Sequence, residues 1–164
     1  MIDRLLRWID MAAAAGGAAA SVFLGAIVVL ITLEIGLRSG FHTSTLVADE
    51  FSAYFFVAVV MLGLPIALRD GAHIRITLVS GRLPEAGRRW LDILVHLLAL
   101  ALCGFALYHA TMMVYDAYAL DMQADSISET PIFLPQLVIP IGLLLFALQL
   151  LAGLARRFRS FPTR

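Results

Sequence analysis

Glu34 and Arg38 are the first residues whose types and spacing could do chemistry. They stand four apart near the end of a long apolar run. On a helix, i and i+4 face each other, and Glu before Arg is the favourable order. An ionisable group in a membrane segment is often functional, which makes Glu34 a candidate ion or proton site. The preferred reading is plainer: a self-paired charge near the interface, or a bridge to a neighbouring subunit. Four histidines come next, His42, His73, His96 and His109. Facing histidines in a membrane bundle can ligate haem. His96 and His109 would share one helix, with about 20 Å between them at 1.5 Å rise per residue. Each would need its own partner, and His42 and His73 both lie near loops. Interfacial or hydrogen-bonded histidines are the preferred reading. Asp116, Asp121, Asp125 and Glu129 fall in one loop, and the spacing of four in the last three could form an acidic face for a partner. A solvated loop is the simpler expectation. HExxH, GxxxxGK[ST], CxxC and GxSxG are all missing, so an enzyme is not expected. Cys103 is the single cysteine and reads as a small packing residue.

The elements that must position these groups are four uncharged runs, Met11–Leu33, Phe51–Leu68, Ile93–Tyr115 and Thr130–Ala155. Each reaches the roughly 18 to 20 residues a helix needs to cross a bilayer. A backbone in lipid must satisfy its own hydrogen bonds, which makes the runs helices. They are continuously apolar, not alternating, which disfavours a β-barrel. The sequence therefore predicts an all-α integral membrane protein. It has four transmembrane helices at about 9–37, 47–69, 90–115 and 131–155, in one membrane domain over 1–164. Hydrophobic residues make up 61% and charged residues 15%. The formal net charge of zero gives no reason to expect nucleic acid as a partner. The first run is longer than the roughly 7–15 apolar residues of a signal peptide and reads as a retained span.

All twelve cationic residues are arginines. Arg4 and Arg7 precede the first run, Arg69, Arg75, Arg82, Arg88 and Arg89 lie between the second and third, and Arg156, Arg157, Arg159 and Arg164 follow the fourth. Only Arg38 falls on the other side. The positive-inside rule then puts both ends and the 69–90 loop in the cytoplasm, and the acidic loop outside.

Local signals refine the picture. Trp8 suits an aromatic anchor at the interface. The first span is rich in small residues, Gly16 and Gly17 among them, which allow close helix approach. The sequence leaves open whether they face a partner helix or the second or fourth span. Asp49 and Glu50 complement the dipole at the start of the second span. Pro65 should kink that span, and Asp70-Gly71 ends it. Pro131 and Pro135 lead into the fourth span, and Pro140 lies inside it and should bend it. Ile76, Val79 and Leu83 recur on one face, with Arg75 and Arg82 elsewhere around it. This predicts a short amphipathic interfacial helix between helices two and three.

Two stretches carry a family resemblance. One runs Asp49-Glu50-Phe51-Ser52-Ala53-Tyr54, through Gly63, Ala67 and Arg69, to Gly71-Ala72-His73-Ile74. The other runs Ser126-Ile127-Ser128-Glu129-Thr130-Pro131, through Pro135, to Ile139-Pro140-Ile141-Gly142. In order and spacing they resemble the small, DctQ-type membrane subunit of TRAP transporters, the tripartite ATP-independent periplasmic family. Leu46 stands where that family often has Trp shortly before the acidic pair.

The resemblance implies a scaffold for a large membrane subunit that holds the substrate and sodium sites. A periplasmic binding protein would deliver an organic acid to that complex. No cofactor is implied in this chain, and the coupling sodium belongs to the partner. On this reading Glu50 and Arg69 fix the ends of the second span, and His73 with Ile74 sets the start of the interfacial helix. Ser128 lies where a periplasmic partner could touch. Pro131, Pro135 and Pro140 shape the fourth span, and Glu34 and Arg38 are candidates for a bridge to the large subunit. Two other classes stay open: a haem-carrying anchor of a redox complex, and a small exporter in which Glu34 exchanges protons.

Overall fold

The computed structural model describes residues 2–71 and 84–159. It contains α1 (Ile2–Phe41), α2 (Ala48–Arg69), α3 (Glu85–Ala119), the short α4 (Phe133–Gln136) and α5 (Val138–Arg159). Four helical stretches are long and apolar enough to cross a membrane: Asp3–Phe41, Ala48–Arg69, Trp90–Ala119 and Phe133–Arg156. The 22 residues of α2 and of α5 extend about 33 Å each, close to the hydrocarbon thickness of about 30 Å. By contrast, α1 has 40 residues and α3 has 35, or about 60 and 52 Å at 1.5 Å per residue. Both helices run beyond the spans expected for them, because nothing in their sequences breaks a helix at the membrane boundary. The expected interfacial helix, with His73, Ile74, Arg75, Ile76, Val79, Arg82 and Leu83, lies outside the described residues.

The bundle is built around α2 and α5. α2 packs on α1 and α5, α5 also touches α1, and α3 packs on α5 and α4. The buried apolar residues are mostly alanines: Ala13, Ala20, Ala48, Ala58, Ala110, Ala117 and Ala152. Large residues such as Val22, Leu102 and Phe105 point outward. This inversion suits lipid, where helices associate through close backbone approach and not through exclusion of leucines from water.

Glycines make the tightest contacts. A Cβ on Gly17 would lie 2.9 Å from Cγ2 of Ile66, and one on Gly16 would lie 3.0 Å from the Leu62 carbonyl. The small residues of the first span that pack most closely therefore face α2 inside this chain. On the other side of α2, a Cβ on Gly142 would lie only 2.5 Å from the Met61 carbonyl oxygen. Pro65 explains why that carbonyl is there. Proline has no N–H, so Pro65 leaves the carbonyl four residues earlier, that of Met61, without its helical donor. Pro65 is itself fully buried, and Gly142 lets the α5 backbone close over the freed oxygen. On the third contact, the Cys103 thiol on α3 reaches the Leu143 carbonyl on α5 at 3.4 Å.

The fourth span differs from the expected bent helix. It is two pieces, α4 and α5, separated at Leu137. Pro140 cannot donate to the Gln136 carbonyl, so the ladder breaks there, not further in. Leu137 keeps helical angles (φ −55°, ψ −29°), and Leu137 N–H still reaches the Phe133 carbonyl at 3.0 Å. Pro140 thus occupies the first turn of α5, where a missing donor costs least.

Candidate functional site

The polar side chains collect in three clusters at the ends of the helices. Glu34 anchors the first. Its carboxylate belongs to a residue only 6% exposed. It accepts Arg38 Nε at 2.7 Å, Thr45 Oγ1 at 2.6 Å, Thr45 N–H at 3.1 Å, and the Ser44 hydroxyl. Arg38, whose side chain is 58% exposed, also reaches Ser44 Oγ at 3.4 Å. Besides making the helical i,i+4 contact, the pair therefore ties down the loop from α1 to α2. That loop needs anchoring, because His42 (φ 51°) and Leu46 (φ 59°) both adopt left-handed backbone angles, which are unfavourable for residues with a Cβ. His42 is the residue that turns the chain out of α1.

The second cluster joins residues 78 positions apart. Ser128 Oγ lies 3.0 and 2.9 Å from the two Glu50 oxygens. Tyr54 Oη donates to Glu50 Oε1 at 2.7 Å from one turn further along α2. Ser128 Oγ also contacts Ser126 Oγ at 3.0 Å and Thr130 Oγ1 at 2.7 Å. A serine has one hydroxyl proton. In both of these contacts either hydroxyl can donate, and Ser126 and Thr130 also hydrogen-bond the Glu50 carboxylate. The Ser-x-Ser-x-Thr run thus gathers its three hydroxyls on Glu50. The surrounding loop is closed by backbone contacts: Ala124 N–H to Thr130 O at 2.9 Å and Ile132 N–H to Met122 O at 3.0 Å. Asp121 (φ 48°) and Glu129 (φ 43°) supply its left-handed turns, and Met122 N–H closes the end of α3 on the Ala117 carbonyl at 2.9 Å. The acidic residues of the loop therefore include two that set its shape.

The third cluster lies at the opposite end. Arg156 of α5 meets both oxygens of Asp10 at 2.7 Å, and Gln149 Nε2 donates to Asp10 Oδ1 at 3.1 Å. Arg69, the last residue of α2, donates through NH1 to the Asp10 carbonyl at 3.2 Å and pairs through Nε with Asp70 at 2.8 Å. Three helices are tied at one level. The sequence alone does not single out Asp10, Gln149 and Arg156 as a group. The available signal is an amide, Gln149, deep in the apolar fourth run, level with the acid that precedes the first. Gln149 is 2% exposed, and its Oε1 has no hydrogen-bond partner among the described residues.

The remaining sequence candidates fall into place singly. Pro131 pairs in an isolated bridge with Gln123, and Pro135 sits within α4. His96 Nδ1 lies 2.8 Å from the Asp92 carbonyl, and a Cβ on Gly153 would sit 3.6 Å from its Nε2. His109 is exposed, against the rings of Phe105 and Tyr108 with centroids 4.3 and 5.3 Å away. The structure does not unite Glu34, Glu50 and Arg69 into one centre. Each fastens a different helix end. Asp10 and Glu34 are 24 positions apart on α1, about 36 Å along the axis, so the first and third clusters bracket a slab of membrane thickness. The buried polar residues among those described are Glu34 and Gln149, and each belongs to one of these two clusters.

Comparison with known proteins gives a consistent answer. Residues 27–160 match the family described as tripartite ATP-independent periplasmic transporters, DctQ component. The chain is 28% identical over 75 residues to a putative TRAP transporter small permease protein of Haemophilus influenzae, covering 46% of this chain and 47% of that protein. It is 28% identical over 114 residues to the ectoine TRAP transporter small permease protein TeaB of Halomonas elongata, covering 70% and 58%. It is also 30% identical over 141 residues to the sialic acid TRAP transporter permease protein SiaT of Haemophilus influenzae. That match spans 85% of this chain and 21% of the longer protein. The chain thus spans about half the length of the first two relatives, 47% and 58%. Its Asp49-Glu50 and Ser126–Pro131 motifs meet through the Glu50–Ser128 contact within the matched region. With four membrane-length helices, it is a multi-pass membrane protein belonging to the DctQ component family of TRAP transporters.

Proposed function

We propose that this chain is a non-catalytic scaffold in a transporter that takes up an organic acid using a sodium gradient. It braces a large permease subunit that carries the substrate and sodium sites, and a periplasmic binding protein delivers the substrate. The chain is one membrane domain in the bacterial inner membrane with both ends in the cytoplasm, and it needs no cofactor of its own.

One observation carries the reading. The carboxylates of Glu34, Glu50 and Asp10 are all satisfied by hydrogen bonds near helix ends. A self-contained carboxylate carrier needs polar groups and broken helices near the membrane midplane. Here the one break among the described spans, at Leu137, lies next to the outer loop. The match of this chain to about a fifth of a longer permease supports a partner that supplies the missing parts. Saturation of Glu34 by its own loop also disfavours proton exchange there.

Reconstitution tests this directly. Liposomes containing this chain, its large subunit and binding protein should accumulate an organic acid when sodium is higher outside. Liposomes with this chain alone should accumulate none. Sodium-dependent uptake by this chain alone would refute the scaffold assignment.

A further inference from the structure

α3 meets the rest of the bundle along one narrow stripe. Its buried residues Cys103, Ala110 and Ala117 recur on one face, and the helix packs on α5 and α4. At about 100° per residue, Tyr108 and His109 lie about 140° and 120° from Cys103, one to each side of the opposite face. Phe105 and Met112 fall between them, within about 20° of directly opposite. Phe105 is 64% exposed, Tyr108 60% and Met112 41%, and His109 is exposed as well.

Depth gives these residues their meaning. The Cys103 thiol meets the Leu143 carbonyl, and the neighbouring Gly142 lies against Met61. From Glu50 to Met61, α2 descends about 16 Å. α3 climbs back about 9 Å from Cys103 to His109, which leaves His109 about 7 Å short of the Glu50 level. Helical side chains lean toward the N-terminus, here away from that level, so both rings sit deeper still. Exposed hydroxyls elsewhere on the spans are satisfied by their own helix: Ser21, Thr32 and Thr111 each donate to the carbonyl four residues earlier. Tyr108 and His109 have no hydrogen-bond partner among the described residues. Their contacts are with rings, His109 lying 4.3 Å from Phe105 and 5.3 Å from Tyr108 between centroids. A neutral imidazole carries one N–H donor and one acceptor nitrogen. Acyl chains satisfy neither, and polar groups within a span face protein or water-filled space in almost every case.

We infer that this face of α3 is where transmembrane helices of the large permease subunit dock, with hydrogen-bonding groups of that subunit set against Tyr108 and His109. The inference takes its occupant from the scaffold reading and rests on it. Two observations favour that occupant. In the longer permease, the part that matches this chain is about a fifth of one polypeptide, so the rest of that protein is tethered beside the bundle. The chemistry of the face also differs from that of the other exposed spans. On α1 the outward residues Val22, Leu24, Val28 and Val29 are aliphatic and suit lipid tails. Phe105, Tyr108 and Met112 are of the types enriched where proteins meet.

Photo-crosslinking in the assembled complex tests it. The photoreactive residue benzoylphenylalanine is placed singly at position 105 or 112, or at the control positions 22 or 28 on α1. The full chain is produced together with its large subunit and irradiated in native membranes. Positions 105 and 112 should give adducts with the large subunit several-fold stronger than positions 22 and 28. Adducts with the large subunit from the α1 positions and not from α3 would overturn the inference and leave the scaffold reading intact. Adducts joining two copies of this chain through α3 would also overturn it, by assigning the face to self-association. A large subunit that fails to co-purify with the unaltered chain would refute the scaffold reading itself and remove the occupant with it. A second measurement isolates the polar contact. His109→Phe should lower recovery of the large subunit by about threefold, the effect of a typical interhelical hydrogen bond in lipid, whereas His109→Gln keeps a donor and an acceptor and should retain it. Both variants alter an exposed position, and circular dichroism of the isolated chain should be unchanged. Equal recovery with His109→Phe and the unaltered chain would overturn the role given to His109.

Discussion

Gly142→Ala should destabilise this protein, although alanine is the better helix former. The structure makes the opposing effects explicit. Replacing glycine by alanine inside a helix gains about 1 kcal/mol of intrinsic propensity. The new methyl, however, would sit 2.5 Å from the Met61 carbonyl oxygen and 2.7 Å from the Met61 Cβ. Ordinary contact begins near 3.4 Å, so α2 and α5 must separate by about 0.9 Å, the difference between those two distances. Neither obstacle is the flexible end of a side chain. The carbonyl belongs to a backbone held beside buried Pro65, which cannot yield by a rotamer change. Overpacking of this kind costs about 1–3 kcal/mol, and separation also uncovers the Met61 oxygen that Pro65 left without a helical donor. The net expectation is a loss of up to about 2 kcal/mol after the propensity gain, and the uncovered oxygen adds to it. Gly104→Ala is the control: nothing lies within 4 Å of its Cβ position on α3, so it should stabilise by up to about 1 kcal/mol. Unfolding both variants by titrating a mild detergent micelle with dodecyl sulfate, followed by circular dichroism, measures the difference. A Gly142→Ala protein as stable as the unaltered chain would refute the idea that this glycine sets the α2–α5 distance.

Three further outcomes follow from the clusters. Glu34→Ala should release the α1–α2 loop, and the Thr45 amide, now bonded to Glu34, should exchange with deuterium faster than in the unaltered chain; unchanged exchange would contradict the anchoring role. A double-mutant cycle with Asp10→Asn and Arg156→Gln should give a coupling of about 1 kcal/mol or less, because the Arg156 side chain is 40% exposed and water screens such pairs; a coupling above about 3 kcal/mol would mark a desolvated pair instead. Pro140→Ala should restore a donor to the Gln136 carbonyl and join α4 to α5, seen as a slowly exchanging amide at residue 140; rapid exchange there would mean that something other than proline breaks the ladder.

Much of this molecule is legible in the chain because lipid leaves few options. A run of some twenty apolar residues must satisfy its backbone internally, so the four spans follow from composition and length. The Glu34–Arg38 contact is also local, since the helix brings i and i+4 together whatever surrounds them. The lengths of α1 and α3 are less legible. Charged and polar residues such as Asp3, Arg4 and Asp116 end an apolar run without ending a helix.

What only the tertiary structure decided concerns pairs far apart in sequence. Glu50 reads as a helix-dipole residue, and Ser128 as part of a surface loop. Their contact across 78 positions arises only when α5 lies beside α2 and draws the 120–132 loop over the start of that helix. Asp10, Gln149 and Arg156 look like an interfacial acid, a stray amide and one arginine among many. Packing of α5 against α1 makes them one clamp. Likewise the sequence marks Gly16, Gly17 and Gly142 as capable of close approach, but cannot say to what. The reason is physical. Hydrophobicity acts between a residue and its solvent, so it can be read one residue at a time. Hydrogen bonds and backbone contacts act between two partners at fixed distance, and only the folded arrangement says which two.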